Sequence, residues 1–343
     1  MQHRAILKPL ENTKSVNIKS TARLHMGFFD LHGGLGRKFG SIGLSLTTPA
    51  LVINAQLAEE LSVVCAHSLS NHALANSFNA RAKKIAASLL SALDLKQAVA
   101  LTIEHTITEH AGLGSGTQLA LAIGRAISEL HQLNLSATQI AQLTGRGGLS
   151  GIGIAAFEQG GLLIDGGRSS TLKATPPLLA RYDFPADWRV LLILDNTQPG
   201  IHGDEELLAF SQLPVFDESL AAHLCRHVLM QAMPAIVEHD LNAFGQSIQA
   251  LQAHVGDYFA PAQGGRYASK RVGDVLKYLE ESGVACFGQS SWGPTGFAVF
   301  ESAVIAEQYL QQLKVKFTDA SLAWMICAAN NRGAEVTIAA HVA

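Results

Sequence analysis

The nine residues HAGLGSGTQ, positions 110 to 118, set three glycines and two hydroxyl side chains between an apolar run and a helical pattern. A strand, a glycine-rich turn and a helix start form an arrangement in which free backbone N–H groups and the helix dipole favour an anion. Gly112, Gly114 and Gly116 alternate, and Ser115 and Thr117 place hydroxyl donors at the same end. The loop lacks the Gly-Lys-Ser/Thr of a Walker A motif. It is not GxGxxG either, and no acidic residue follows at dinucleotide-binding spacing. Two readings stand side by side: a phosphate cradle, or a tight helix-entry turn with no ligand.

Fixed cations for an anionic substrate are best supplied by arginine, whose planar fork binds phosphate or carboxylate at two points. Arg23, Arg37 and Arg146 lie in glycine-rich segments; as surface ion pairs instead, each would contribute only about 0–1 kcal/mol. His25 follows Arg23 by two residues, on the same face if the stretch is a strand, and a satisfied core histidine is the competing reading. Among carboxylates, Asp165 ends an apolar strand just before Gly166 and Gly167. A buried charge there needs a reason, unless it serves an Asp-Gly turn. Trp292 could stack on a flat ring or fill the core.

The elements that must position these residues follow from periodicity. SVNIKSTARLHMGFF (15–29) and AVALTIEH (98–105) read as strands, as do LVINA, LSVVCA and WRVLLILD. Residues 76–93, 117–132, 219–240 and 241–254 read as helices, and Ser136 is a natural N-cap for the helix after it. With 343 residues the chain is long enough for two domains. A proline-containing interruption near residue 180 suggests 1–180 and 181–343.

Composition narrows the function. Charged residues make up 15% of the chain and the net charge is −3, so nothing draws it generally to nucleic acid or an anionic membrane. Cys65, Cys225, Cys286 and Cys327 are scattered, with no CxxC pair, and HExxH is absent. The opening MQHRAILKPLENTK lacks the apolar core of a signal peptide. A cytoplasmic location is expected.

The GLGS loop at a strand-to-helix junction resembles the phosphate loop of the GHMP kinase superfamily. SGIGIAAFEQGG (150–161) and GQSSWGPTG (288–296) are similar to two further superfamily segments. The resemblance implies an α+β fold of two domains, the first like domain 2 of ribosomal protein S5 and the second ferredoxin-like. The departures are specific. Gly153 stands where those kinases carry a catalytic aspartate, and Gly116 replaces the second loop serine. A cradle without the base suggests phosphate binding without kinase chemistry.

Five blocks in order resemble one non-kinase branch, the β-ribofuranosylaminobenzene 5′-phosphate synthases: RLH with DLHGGLGRKFGSIGLSL, GLGSGTQ, RGGLSGIGIAAFEQGGLLIDGG, PGIHGDEE and GQSSWGPT. That branch condenses 5-phosphoribosyl 1-pyrophosphate (PRPP) with 4-aminobenzoate or 4-hydroxybenzoate, releasing pyrophosphate and carbon dioxide, in tetrahydromethanopterin biosynthesis. The resemblance implies Mg²⁺ bound with PRPP, no nucleotide cofactor, two small-molecule substrates, and leaves a homodimer open. It makes Arg23, Arg146, Asp30 and Asp165 the catalytic candidates, either aspartate steadying the cationic ribose or holding the metal. The substrate-binding candidates are Gly112, Gly114, Ser115, Gly116, Thr117, His25, Arg37, Ser150, Glu158, Gln289, Ser290 and Trp292, with Glu205 and Glu206 also in a matched block. The alternatives are a true kinase, with Glu158 as a replacement base, and a noncatalytic binder of a phosphorylated metabolite.

Overall fold

The computed structural model describes residues 14–65, 72–197, 200–201 and 203–340. The opening segment read above for a leader, together with Pro199 and His202, lies outside the described residues.

Seven strands form the first sheet. β1 (Lys14–Asp30) precedes a two-residue β2 (Arg37–Lys38), the 19-residue β3 (Gly40–Ala58) and β4 (Ser62–Cys65). After α1 (His72–Ala92) come β5 (Ala98–His105), α2 (Ser115–Leu130), α3 (Ala137–Leu143) and α4 (Ile152–Glu158). β6 (Leu162–Asp165), a two-residue β7 (Arg168–Ser169) and β8 (Leu178–Tyr182) follow. The order is β13-β1-β3-β5-β4, with β6 on the other half of β3 and β8 beyond it, while β2 and β7 form a separate ribbon; β13 (Glu335–Ala340) closes the edge at β1.

The second sheet is built from β9 (Arg189–Asp195), β10 (Cys286–Gln289), β11 (Gly296–Phe300) and β12 (Leu322–Cys327). Between β9 and β10 run α5 (Asp204–Gln212), α6 (Glu218–His227), a π-helical turn (Val228–Ala232), α7 (Met233–Glu238), α8 (Leu241–Gln263) and α9 (Lys270–Glu281); α10 (Ala303–Lys316) joins β11 to β12. Its antiparallel order β10-β11-β9-β12 is the ferredoxin-like arrangement. RVLLILD reads as a near-continuous apolar run because β9 is an inner strand covered by helices on one side and the main core on the other.

The structure differs from a division at residue 180 in two ways. Residue 180 falls inside β8, whose Arg181 is pinned to the carbonyls of Gly160 and Asn331. The chain also returns at its end: Glu335 pairs with Lys19 and Ala340 with Lys14, so the last strand completes the first sheet. Strand partners this distant leave no local signal. β3 is likewise longer than LVINA, because Gly40–Ser45 pairs with β1 and Ser41–Leu44 with β6.

The helical run Glu218–Glu238 is long and apolar enough, by length and composition, to cross a membrane. It instead lies on β1 and α8 with Leu224, Val228, Ala232 and Ile236 buried in the main core.

Candidate active site

Gly114 ends the loop in the left-handed region (φ 79°) and serves as the N-cap of α2, so no side chain caps that helix. The first turn, Ser115 to Thr117, opens into a cleft of about 250 Å³ between the two sheets. A left-handed residue at the cap is glycine's role, and here it has a second cause: a Cβ at 114 would lie 2.9 Å from Arg23 Cγ.

The cleft wall is stitched together by backbone. Arg23 N–H donates to the Leu113 carbonyl and its Nη1 to the Gly112 carbonyl at 2.7 Å. Ser290 Oγ donates to that same Gly112 carbonyl at 2.7 Å and accepts from His25 N–H. A Cβ on Gly112 would collide with the Ser290 carbonyl. The glycine loop, β1 and the β10–β11 loop therefore meet in van der Waals contact, which fixes one domain's glycine loop against the other's glycine segment.

Three arginines converge on the helix start. Arg23 comes from β1, Arg81 from α1 and Arg146 from the turn after α3, and all three line the cleft. Arg81 is held by Glu109. Arg146 Nε is buried without a hydrogen-bond partner. Burial lowers the Arg23 pKa to about 10, against which nearby Glu206 acts to raise it. Arg146 is shifted down as well, first by burial and then by the charge of Arg81. Like charges in a half-buried cleft oppose one another, and an anion between them relieves both. Among the described residues lining the cleft, Glu206 is the carboxylate; it accepts from Trp292 Nε1 at 3.0 Å.

Of the residues singled out in the sequence, Arg23, Arg146, Gly112, Gly114, Ser115, Gly116, Thr117, Glu206 and Trp292 line this cleft, and Ser290 braces its wall. The structure places the others elsewhere. Asp165 is fully buried, with Oδ2 accepting from Ser41 Oγ, Ser150 Oγ and Gly151 N–H and Oδ1 from Gly167 N–H. Burial raises its pKa and these bonds oppose the rise. Asp165 thus ties β6 to β3 and the start of α4, and Ser150 belongs to the same knot. Asp30 accepts from the His32 and Gly33 amides as a turn cap, Arg37 donates to the Gly166 and Gly167 carbonyls, and Glu158 accepts from Ala137 N–H at the start of α3. Gln289 is buried and bonded to Ala268 N–H, Gln263 and the Ser291 carbonyl. Trp292 is 2% exposed and stacks on Phe259 at 4.2 Å, so its rings belong to the core and its N–H orients Glu206.

Asp165→Ala takes the acceptor from those four donors, of which only the Ser41 and Ser150 hydroxyls can still bond to each other, and the expected loss is about 3 kcal/mol or more of folding stability. A thermal midpoint close to the parent's, with activity abolished, would return Asp165 to catalysis.

Gly116 offers a cleaner probe of the arginines. A Cβ there would run into Arg81 Nη2 and lie 3.5 Å from Arg146 Nη1, both ends of flexible side chains. Alanine favours the helix over glycine by up to about 1 kcal/mol. Gly116→Ala should therefore hold or raise the melting temperature while weakening binding of a diphosphate about tenfold, as followed by calorimetric titration with pyrophosphate; unchanged affinity would remove the arginines from the anion site.

His25 is 3% exposed, and both ring nitrogens are buried without a hydrogen-bond partner. Its pKa falls to about 3, chiefly from burial and secondly from the charge of Arg23. The unfolded chain takes this proton near pH 6.5, the folded one only near 3. The unfolded state binds more protons between those values, so stability drops as pH falls through that window, by at most about 1.4 kcal/mol per pH unit. His25→Phe should flatten that acid slope in thermal melts from pH 6.5 to 4. Superimposable slopes would contradict the assignment.

Residues 80–161 match the GHMP kinases N terminal domain and residues 232–317 the GHMP kinases C terminal domain. A homoserine kinase structure from Cytophaga hutchinsonii superposes with a TM-score of 0.67 at 18% identity, covering 98% of this chain and 100% of that one. Fold and both domain matches define a protein of the GHMP kinase class. At 34% identity over 337 residues, the chain resembles the β-ribofuranosylphenol 5′-phosphate synthase of Archaeoglobus fulgidus, covering 94% of this chain and 100% of that one. The like-named protein of Methanocaldococcus jannaschii is 34% identical over 308 residues, 85% of this chain and 91% of that one. The chain belongs to the β-ribofuranosylphenol 5′-phosphate synthase family.

Proposed function

We propose that the protein is a decarboxylating pentosyltransferase that joins the ribose C1 of PRPP to the carboxylate-bearing ring carbon of 4-hydroxybenzoate or 4-aminobenzoate, as a step of tetrahydromethanopterin biosynthesis. The observation that carries this reading is the convergence of Arg23, Arg81 and Arg146 on the uncapped start of α2. Three fixed cations and free helix amides suit a diphosphate. Gly153, where a kinase needs its acid, has its would-be Cβ 3.1 Å from Thr117 Cγ2, so a side chain there would require Thr117 to give by a few tenths of an ångström. The names of the relatives specify a phenol product, which makes 4-hydroxybenzoate the first acceptor to test.

In the reaction the C1–O bond to pyrophosphate breaks and its electron pair leaves with the diphosphate. The ring carbon attacks C1, and the bond to the carboxylate then breaks, returning its pair to the ring as carbon dioxide departs. Arg23, Arg81 and Arg146 take up the charge that builds on the leaving oxygens, an electrostatic contribution that is strongest where water is thin. Glu206, one of whose oxygens is fixed by Trp292 Nε1, is the carboxylate that would hold a magnesium ion bound with the diphosphate. When bound, that ion supplies further charge neutralisation of the leaving group.

Incubation with PRPP, Mg²⁺ and each benzoate should release pyrophosphate and carbon dioxide in equal amounts. Phosphorylation of homoserine or mevalonate from ATP, without PRPP turnover, would overturn the reading in favour of a kinase. Binding of PRPP with no turnover of either kind would overturn it in favour of a noncatalytic binder.

A further inference from the structure

Beside the cleft, between β1 and α8, lies a second cavity of about 20 Å³. Its walls include Phe28, Phe259 and the amides of Gln252, Gln263 and Gln289, with His25 on β1. Every one of those amides is engaged. Gln252 Nε2 donates to the Met26 and Gln289 carbonyls and its Oε1 accepts from Gln289 N–H. Gln289 Oε1 accepts from Ala268 N–H, while Gln263 donates to the Arg266 carbonyl and accepts from Gln289. Arg266, at the rim, is held by both oxygens of Asp257. His25 stands apart: nine-tenths and more buried, with two unpartnered ring nitrogens. A buried polar group of this kind calls for a partner.

We propose that this pocket receives the para substituent of the aromatic acceptor, and that His25 recognises it by hydrogen bonding. The inference rests on the pentosyltransferase reading above.

The chemistry of the pocket selects the ligand. A neutral imidazole offers one donor and one acceptor on nitrogens that point apart, so a single ligand group meets one of them, and a phenolic hydroxyl or aryl amine can serve either as donor or as acceptor. A carboxylate or phosphate can only accept, and a buried neutral ring does not compensate its charge. The space suits one hydroxyl-sized group, and Phe28, whose ring centroid is 4.5 Å from that of His25, adds an aromatic wall. Position agrees with chemistry. Arg23 and His25 pair in unbroken register with Ser45 and Gly43, so they share a face of β1 about 7 Å apart. That is close to the length of a para-substituted benzoate. Arg23 lines the cleft, His25 lines the pocket, and Ser291 lines both. Ser291, whose N–H donates to the His25 carbonyl, is the wall the two spaces share, so an acceptor with its para group at His25 would need its carboxylate-bearing carbon on the cleft side of Ser291 to meet the ribose. As that carbon attacks, positive charge grows on the para heteroatom and its O–H or N–H becomes a stronger donor. The bond to a neutral imidazole then strengthens in the transition state, which is the condition for it to accelerate the step.

The test begins with the unaltered protein. Competition against 4-hydroxybenzoate should show that 4-methylbenzoate, with no hydrogen-bonding group at the para position, binds about 100-fold more weakly. His25→Leu should raise the KM for 4-hydroxybenzoate about tenfold or more, leave the KM for PRPP near the parent value, and erase the discrimination against 4-methylbenzoate. His25→Gln, which keeps a donor and an acceptor, should recover part of it. If the parent turns over PRPP yet binds the two benzoates equally, or if His25→Leu changes the PRPP term instead, the pocket assignment is wrong while the pentosyl transfer stands. If the parent turns over neither benzoate with PRPP, the pentosyltransferase reading fails and the pocket assignment falls with it.

Discussion

Arg146→Ala is expected to raise the KM for PRPP by about 100-fold or more while leaving the thermal midpoint at or slightly above that of the parent. The asymmetry follows from the charges around the start of α2. Arg146 and Arg81 both approach Gly116, and Arg146 is pushed down in pKa by burial and by Arg81. Without substrate these two cations repel, so deleting one removes a repulsion and a desolvated guanidinium together. With a diphosphate between them, each makes charge-assisted bonds, and truncating one partner of such a pair costs roughly 2–5 kcal/mol of ligand interaction. Arg146→Lys keeps the charge and loses the planar fork, so it should recover little. Arg271, exposed and paired with Asp319, is the control and should tolerate alanine within about twofold in KM. A parallel fall in stability and binding, or no change in either, would remove Arg146 from the anion site.

This arginine was legible in the sequence, and the reasons it was show why others were not. Arg23 and Arg146 sit in glycine-rich blocks whose backbone geometry constrains their neighbours, so position in the chain carried information about position in space. Arg81 lies on α1 among lysines and alanines in an ordinary amphipathic pattern, and only the packing of α1 beside α2 brings it to Gly116. Asp165 misleads for the opposite reason. An acid at the end of an apolar strand looks costly until its donors are known, and Ser41 and Gly151 approach it from β3 and the start of α4. Glu205 and Glu206 were equivalent as letters; the turn of α5 aims Glu206 into the cleft, where Trp292 holds it. The same limit applied to the fold. Strands and helices followed from period and apolar runs, whereas the return of β13 to β1 rests on a pairing across more than 300 residues.

Glu206→Gln is expected to lower kcat by about 100-fold while the KM for PRPP stays level or falls. Glutamine keeps the shape and an oxygen for Trp292 Nε1, so the wall of the cleft should survive. Charge is what it removes. Glu206 is the counter-charge to Arg23, raising the pKa that burial lowers, and without it the cleft becomes more positive toward a highly anionic substrate. If the carboxylate served only to balance arginines, its loss would tighten ground-state binding and leave turnover nearly intact. The proposed role is different: one carboxylate facing the diphosphate, able to hold its magnesium and to steady positive charge growing at C1. Removing a preorganised charge of that kind typically costs 10²–10³ in rate. It shows in kcat because the interaction matures with the transition state. The two readings therefore separate on which constant moves. A kcat within about threefold of the parent would make Glu206 a structural counterion, and a raised PRPP KM with kcat intact would make it a plain binding residue. If the metal bond is part of the role, the Mg²⁺ concentration giving half-maximal rate should also rise about tenfold in Glu206→Gln.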